Sequence, residues 1–156
     1  MEIRPAVPAD LLALISILRR SWLTTWAPEL QLTTVQRFAT DDPARHYAES
    51  MWREFMVAED GGALVGMFHI EGNCLNAIHL DPKRKRQGIG SRLMNEIERR
   101  ISADHRTARL EVRAFNTGAI EFYKQRGWTE QRRYQATECG ELVETIEMIK
   151  VFTPRE

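Results

Sequence analysis

Two short segments carry residues whose types and spacing could do chemistry. The first runs from Leu80 to Ser91: a strand end, Asp81-Pro82, the basic run Lys83-Arg84-Lys85-Arg86, then Gln87-Gly88-Ile89-Gly90-Ser91 opening an amphipathic pattern. The free main-chain N–H groups at a helix start, with the helix dipole behind them, attract anions. Glycines at 88 and 90 let a phosphate approach the main chain, because no Cβ stands in the way. The lysine-serine pair of an ATP-binding P-loop is missing, and Leu93 stands where a dinucleotide fingerprint has its third glycine. A basic run beside two glycines favours a polyphosphate ligand. Taken singly, a solvated charged loop and an ordinary helix start would account for them.

The second segment holds Leu110-Glu111-Val112, then Asn116, Ala119, Phe122-Tyr123 and Gly127-Trp128. Asn116 and Tyr123 are seven residues apart, two turns, so they share one helix face. A tyrosine there can aim its hydroxyl at whatever lies between the neighbouring strands. Plain core packing with the hydroxyl at the rim is the simpler reading of that tyrosine in isolation.

These segments need elements to hold them. Glu2 to Val7 reads as a short strand, and Pro8 suits the first helical position, with Asp10 placing negative charge in the first turn. Leu11, Ile15, Leu18, Trp22 and Trp26 recur at steps of four and three, one face of a helix. A second helical region starts near Thr33-Thr34, is interrupted at Asp41-Asp42-Pro43, and resumes through Tyr47 and Met51. Phe55–Glu59 and Ala63–Ile70 are apolar runs joined by Asp60-Gly61-Gly62, a hairpin signal. A strand over Cys74–Leu80 follows. The spacing predicts a helix from Gly88 to Ala103, burying Ile89, Leu93, Met94, Ile97 and Ile101. Ala108–Arg113 reads as a strand, Asn116 as the N-cap of a short helix ending at Gly127, and Trp128–Ala136 and Leu142–Phe152 as closing strands. A single α/β domain with a mixed sheet follows.

Bulk properties narrow the function classes. The chain has 156 residues, enough for one domain, with 43% hydrophobic and 28% charged residues. Lysine plus arginine equals aspartate plus glutamate at 22 each. Zero net charge argues against bulk attraction to nucleic acid or an anionic membrane. Cys74 and Cys139 stand alone, and His46, His69 and His105 have no partner spacing, so neither a metal site nor a disulfide framework is expected. The apolar run Leu11–Leu18 is too short to span a bilayer, and Glu2, Asp10 and Arg19-Arg20 spoil a signal peptide. A cytoplasmic protein is expected.

Together the two segments resemble the GNAT superfamily of acetyl-coenzyme A-dependent N-acetyltransferases. That family joins a hydrophobic-x-Pro strand end, here Leu80-Asp81-Pro82, to an Arg/Gln-x-x-Gly-x-Gly/Ala loop, here Lys85 to Gly90. Its second motif, Asn, Ala, Phe-Tyr and Gly-aromatic, is matched by Asn116, Ala119, Phe122-Tyr123 and Gly127-Trp128. Lys85 departs from the usual Arg or Gln. The resemblance covers residues 76 to 128 and implies one domain over 1–156. The implied fold is α+β: a mixed, mostly antiparallel sheet of about seven strands, splayed in the middle and flanked by about four helices.

By that resemblance, acetyl-coenzyme A is the acyl donor and no metal takes part. Its pyrophosphate would rest on Lys85, Arg86, Gln87, Gly88, Ile89, Gly90 and Ser91. Its arm would lie beside Ile78, His79, Leu80, Asn116 and Phe122. A main-chain N–H near Leu80 would polarise the thioester carbonyl, and Tyr123 would be the general acid near the sulfur. A primary amine with a pKa near roughly 10.4 must lose a proton before attacking. His79, Glu111 and Glu71 are candidate bases, with a water chain as the alternative. Trp22, Trp26 and Trp52 belong to the helical face over the acceptor side and read as core. Glu138, Glu141 and Glu144 near the last hairpin could draw a cationic amine or simply be solvated. The acceptor is a small-molecule or peptide amine, and the resemblance allows a homodimer. A non-catalytic acetyl-coenzyme A sensor is the alternative function.

Overall fold

Turn chemistry and strand alternation build the sheet. A computed structural model describes residues 1–84 and 87–154. Strand β1 (Glu2–Pro5) pairs antiparallel with β2 (Phe55–Asp60), which pairs with β3 (Ala63–Glu71). Gly61 and Gly62, at φ 60° and 82°, make the tight β2–β3 turn, whose left-handed backbone matches the twist of the strands. Strand β4 (Cys74–Leu80) follows, then β5 (Thr107–Arg113), β6 (Thr129–Glu138) and β7 (Glu141–Val151). The sheet order is β1-β2-β3-β4-β5-β7-β6, and only β4 and β5 run parallel.

Helices cover both faces. On one lie α1 (Leu11–Thr25), α2 (Leu32–Asp41) and α3 (Pro43–Met51). Ile15, Leu18, Trp22 and Phe38 pack there with Phe55, Val57 and Met67. On the other lie α4 (Ile89–Asp104) and α5 (Thr117–Gln125). The expected stripe Ile89, Leu93, Met94, Ile97 and Ile101 is buried there against Val65, Phe68, Leu110 and Met148. Register pairs show the division of labour: Val57 opposite Met67 serves one core, and Met56 opposite Phe68 the other. Leu93 is fully buried, so truncating it to alanine would cost about 2–5 kcal/mol.

Two expectations shift. The first strand stops at Pro5 rather than Val7. Val7 instead starts the turn into α1, its N–H donating to Asp10 Oδ2 at 2.8 Å. The interrupted helical region is two helices, because Asp42 takes φ 49° and its side chain accepts from Arg45 N at the start of α3, where Pro43 supplies the first position. The described residues therefore hold five α-helices rather than about four. No helix among them is long and apolar enough to cross a membrane.

Candidate active site

The parallel strands β4 and β5 stay together for only two pairs, Cys74–Arg109 and Leu75–Leu110. The cause lies in β4. Leu75 faces Ile70 while Ala77 faces His69, leaving Asn76 as an extra residue. A bulge bends its strand and adds twist, so β4 turns away from β5 just past Leu75. The gap is a cleft of about 740 Å³, within the range of ligand-binding cavities.

Opening the cleft frees main-chain groups. Asp81 N–H donates to Val65 on β3 at 2.9 Å. Alternation along β4 then turns the N–H groups of Ile78 and Leu80 the opposite way, toward the gap where β5 no longer pairs. At the mouth, Gly88 precedes α4 with φ 74°, a left-handed conformation suited to glycine. No side chain among the described residues caps that helix, so its first N–H groups point outward unclaimed. A Cβ at Gly90 would sit 3.5 Å from Leu80 and 3.7 Å from Phe122. The helix start therefore packs directly on the cleft wall.

Of the residues expected from sequence, Ile78, His79, Leu80, Gly90, Glu111, Asn116, Phe122 and Tyr123 line the cleft. Gln87, Gly88, Ile89 and Ser91 lie outside it at the start of α4, where the Ile89 side chain is core and only main chain remains to bind a ligand. Lys85 and Arg86 fall outside the described residues. The basic run is not wholly free: Arg84 pairs with Asp60 and donates from Nε to Gln87 Oε1 at 2.8 Å.

Tyr123 is 8% exposed and faces the cleft. Burial pushes its phenol up to about 12, so it remains a proton donor at neutral pH. Asn116 uses Oδ1 to accept from Ala119 N at 3.4 Å, capping α5, which leaves its amide N–H groups for the cleft. His79 sits partly buried on the opposite wall, Nδ1 2.9 Å from Ser21 Oγ and its ring 5.5 Å from Trp26. Burial pushes its pKa down to about 4, because desolvation penalises the charged form. Glu111 is half-exposed at the rim, 3.9 Å from Arg109. Glu71, the third candidate base, is the last residue of β3 and does not line the cleft.

The cleft wall at Glu138, and the turn beside it, are assembled from distant residues. Glu138 Oε1 accepts from Trp22 Nε1 at 2.7 Å, and Glu138 Oε2 from Arg113 at 2.7 Å. Glu141 Oε1 accepts from Thr34 at 2.6 Å and from Gln31 N at 2.9 Å, and Arg37 donates to the Cys139 carbonyl at 3.2 Å. These contacts fasten the β6–β7 turn to α1 and α2. Glu144 pairs with Arg133. All three glutamates thus have partners within the chain. Trp22 is core, stacked on Phe38 at 3.8 Å, yet it and Trp26 both line the cleft, whereas Trp52 packs under Arg53. Asn76, Ser21, Tyr47 and Arg113 also line it and carried no signal in the sequence. Only the bulge and the helix packing bring them there.

Solved structures share this architecture. A GCN5-related N-acetyltransferase from Rhodopseudomonas palustris superposes with TM-score 0.82 at 21% identity, covering 97% of this chain and 95% of that one. The PaiA N-acetyltransferase of Thermoplasma acidophilum, in complex with coenzyme A, gives 0.74 at 22% identity over 97% and 98% of the two chains. At such identities the likeness is one of fold. In sequence, the chain is 40% identical over 73 residues to the peptidyl-lysine N-acetyltransferase YiaC of Escherichia coli, 46% of this chain and 47% of that protein. The match thus spans about half the length of the curated relative. The family model for the acetyltransferase (GNAT) domain matches residues 25–151, most of the chain. By that match the chain belongs to the GNAT acetyltransferase family.

Proposed function

We propose that this protein transfers an acetyl group from acetyl-coenzyme A to a primary amine, by direct attack of the amine on the thioester. The observation that carries the reading is the unpaired edge of β4 facing Tyr123 across the cleft. Relatives bearing the names N-acetyltransferase and, in one case, bound coenzyme A support it. The residues present suit such a donor: an uncapped helix start behind Gly88 for the diphosphate, and a cleft walled by Ile78, Leu80 and Phe122 for the arm.

The main-chain N–H groups from Gln87 to Ser91, with Lys85 and Arg86 adjoining, hold the diphosphate. The N–H of Leu80, helped by that of Ile78, stabilises negative charge on the thioester oxygen as the amine adds. Tyr123, still protonated, donates to the departing sulfur. Asn116 steadies the arm through its amide, and Phe122 packs beside it.

Proton removal follows from the pKa values. A group held near 4 cannot keep a proton taken from an ammonium near roughly 10.4 at neutral pH. His79 therefore acts as a neutral acceptor that orients the amine, its Nδ1 already engaged by Ser21. The proton leaves to solvent through water in the cleft, whose wall Glu111 also lines.

The acceptor class that the sequence relative suggests is a lysine side chain in a peptide, since YiaC is named a peptidyl-lysine N-acetyltransferase. The test is thiol release from acetyl-coenzyme A in the presence of lysine peptides and a panel of small amines. Turnover with at least one acceptor is expected. Tight binding of the donor with no thiol release from any acceptor would favour a sensor, and absence of donor binding would end the proposal.

A further inference from the structure

His69 lies in the middle of β3, fully buried, and takes no part in the cleft. Its Nδ1 is 2.6 Å from the Tyr47 hydroxyl. Its Nε2 points the other way, 3.4 Å from Glu71 Oε1 and 3.6 Å from Glu54 Oε1. Those separations fall within ion-pair range, yet neither makes a hydrogen bond. Nε2 is a buried polar atom with no hydrogen-bond partner among the described residues. Buried nitrogens are rarely left so, and an ion is one recognised reason.

We propose that Glu54, His69 and Glu71 form a binding site for a divalent transition cation of the zinc(II) type. The three donor atoms lie within 4.8 Å of one another. A cation about 2.1 Å from Nε2 and from either carboxylate would subtend an angle of about 110–120° at those nitrogen–oxygen separations, close to tetrahedral. One imidazole with two carboxylates suits zinc, whereas magnesium and calcium prefer all-oxygen sets. Tyr47 supplies the outer contact: Nδ1–H donating to its oxygen fixes the tautomer that leaves a lone pair on Nε2. The carboxylates are about half exposed, at 52% for Glu54 and 49% for Glu71. An ion can therefore enter from solvent, and water can complete the shell.

The sheet register explains why spacing in the sequence gave no hint. His69 and Glu71 are two apart on one strand and share a face. Phe55 pairs with His69 across β2 and β3, which brings Glu54, one residue earlier, beside them.

The experiment uses full-length protein stripped with chelator, titrated with zinc chloride and, as control, magnesium chloride. It is read by calorimetry and thermal unfolding near pH 7.5. Zinc should saturate one site and raise Tm by roughly 5–10 °C at a hundredfold excess over Kd, with magnesium inert. Glu54→Gln and Glu71→Gln, both at half-exposed positions, should fold normally and weaken zinc at least tenfold each, and the double variant should lose the response. Cobalt(II) substituted at the site should show the intense visible absorption of four-coordinate geometry. Absence of a saturable zinc response would overturn the proposal. Undiminished binding in the double variant would place the ion elsewhere and overturn it equally. Neither outcome bears on acyl transfer, which is tested separately by thiol release.

Discussion

The two ends of the cleft are made of different materials. The proposed donor end is main chain: the N–H groups of Ile78 and Leu80 on an unpaired strand edge, and the uncapped start of α4 behind Gly88. The proposed acceptor end is side chains brought from far apart, with Trp22 and Arg113 meeting on Glu138 in the cleft wall, and Thr34 holding Glu141 in the turn beside it. Main-chain donors need only a bulge, two glycines and a strand that ends on time, conditions many sequences meet. Side-chain walls depend on particular pairs 25 to 116 residues apart in the chain. The first end can therefore be met by local sequence, while the second depends on the whole fold.

That contrast can be broken at several points, the largest effect first. Tyr123 stands where the ends meet, and Tyr123→Phe should lower kcat about 10²–10⁴-fold while leaving donor Kd within about twofold. Steady-state rates beside a calorimetric Kd decide this, and an unchanged kcat would remove the phenol from the chemistry.

Acid tests the acceptor wall. The folded His79 pKa is near 4, below its ordinary value near 6.5. The unfolded chain therefore takes up that proton first as pH falls. Stability from this residue is intact above about pH 6.5 and declines toward pH 4, by up to about 3 kcal/mol. Denaturant unfolding across that window should show a shallower pH dependence in His79→Gln than in the parent. Equal slopes would mean the imidazole is better solvated than its packing against Ser21 and Trp26 implies.

The donor end should respond to backbone geometry rather than charge. Gly88→Ala places a Cβ on a residue at φ 74°, a strain of about 1–2 kcal/mol, and should weaken acetyl-coenzyme A binding about tenfold. Gly90→Ala carries no such strain, its Cβ meeting neighbours at ordinary distances of 3.5 and 3.7 Å, and should weaken binding less, only through the methyl it places on the cleft wall. Equal effects from the two would locate the role of Gly88 elsewhere than in its conformation.

The smallest effect belongs to Glu138→Gln, which removes the charge shared by Trp22 and Arg113. A loss of about 1 kcal/mol in stability is expected, with acceptor KM altered and donor Kd unchanged. A donor Kd that moved as far as the acceptor KM would erase the distinction between the two ends.

Sequence periodicity and turn residues determined nearly every element: the α4 stripe from Ile89 to Ile101, the Gly61-Gly62 hairpin, the Asn116 cap. The loop after Pro82 and Tyr123 were singled out by their match to the GNAT pattern rather than by periodicity, and Tyr123 does line the cleft. Pro43 was legible as an interruption but not as the start of a separate helix, since the left-handed turn at Asp42 has no unique signature in an aspartate. Only the tertiary structure decided the Asn76 bulge that opens the sheet, the burial that holds His79 near 4, the partners of Glu138 and Glu141, and the meeting of His69 with Glu54 and Glu71. Each depends on strand register or on contacts across the fold. Such contacts form through space between residues whose spacing along the chain carries no period.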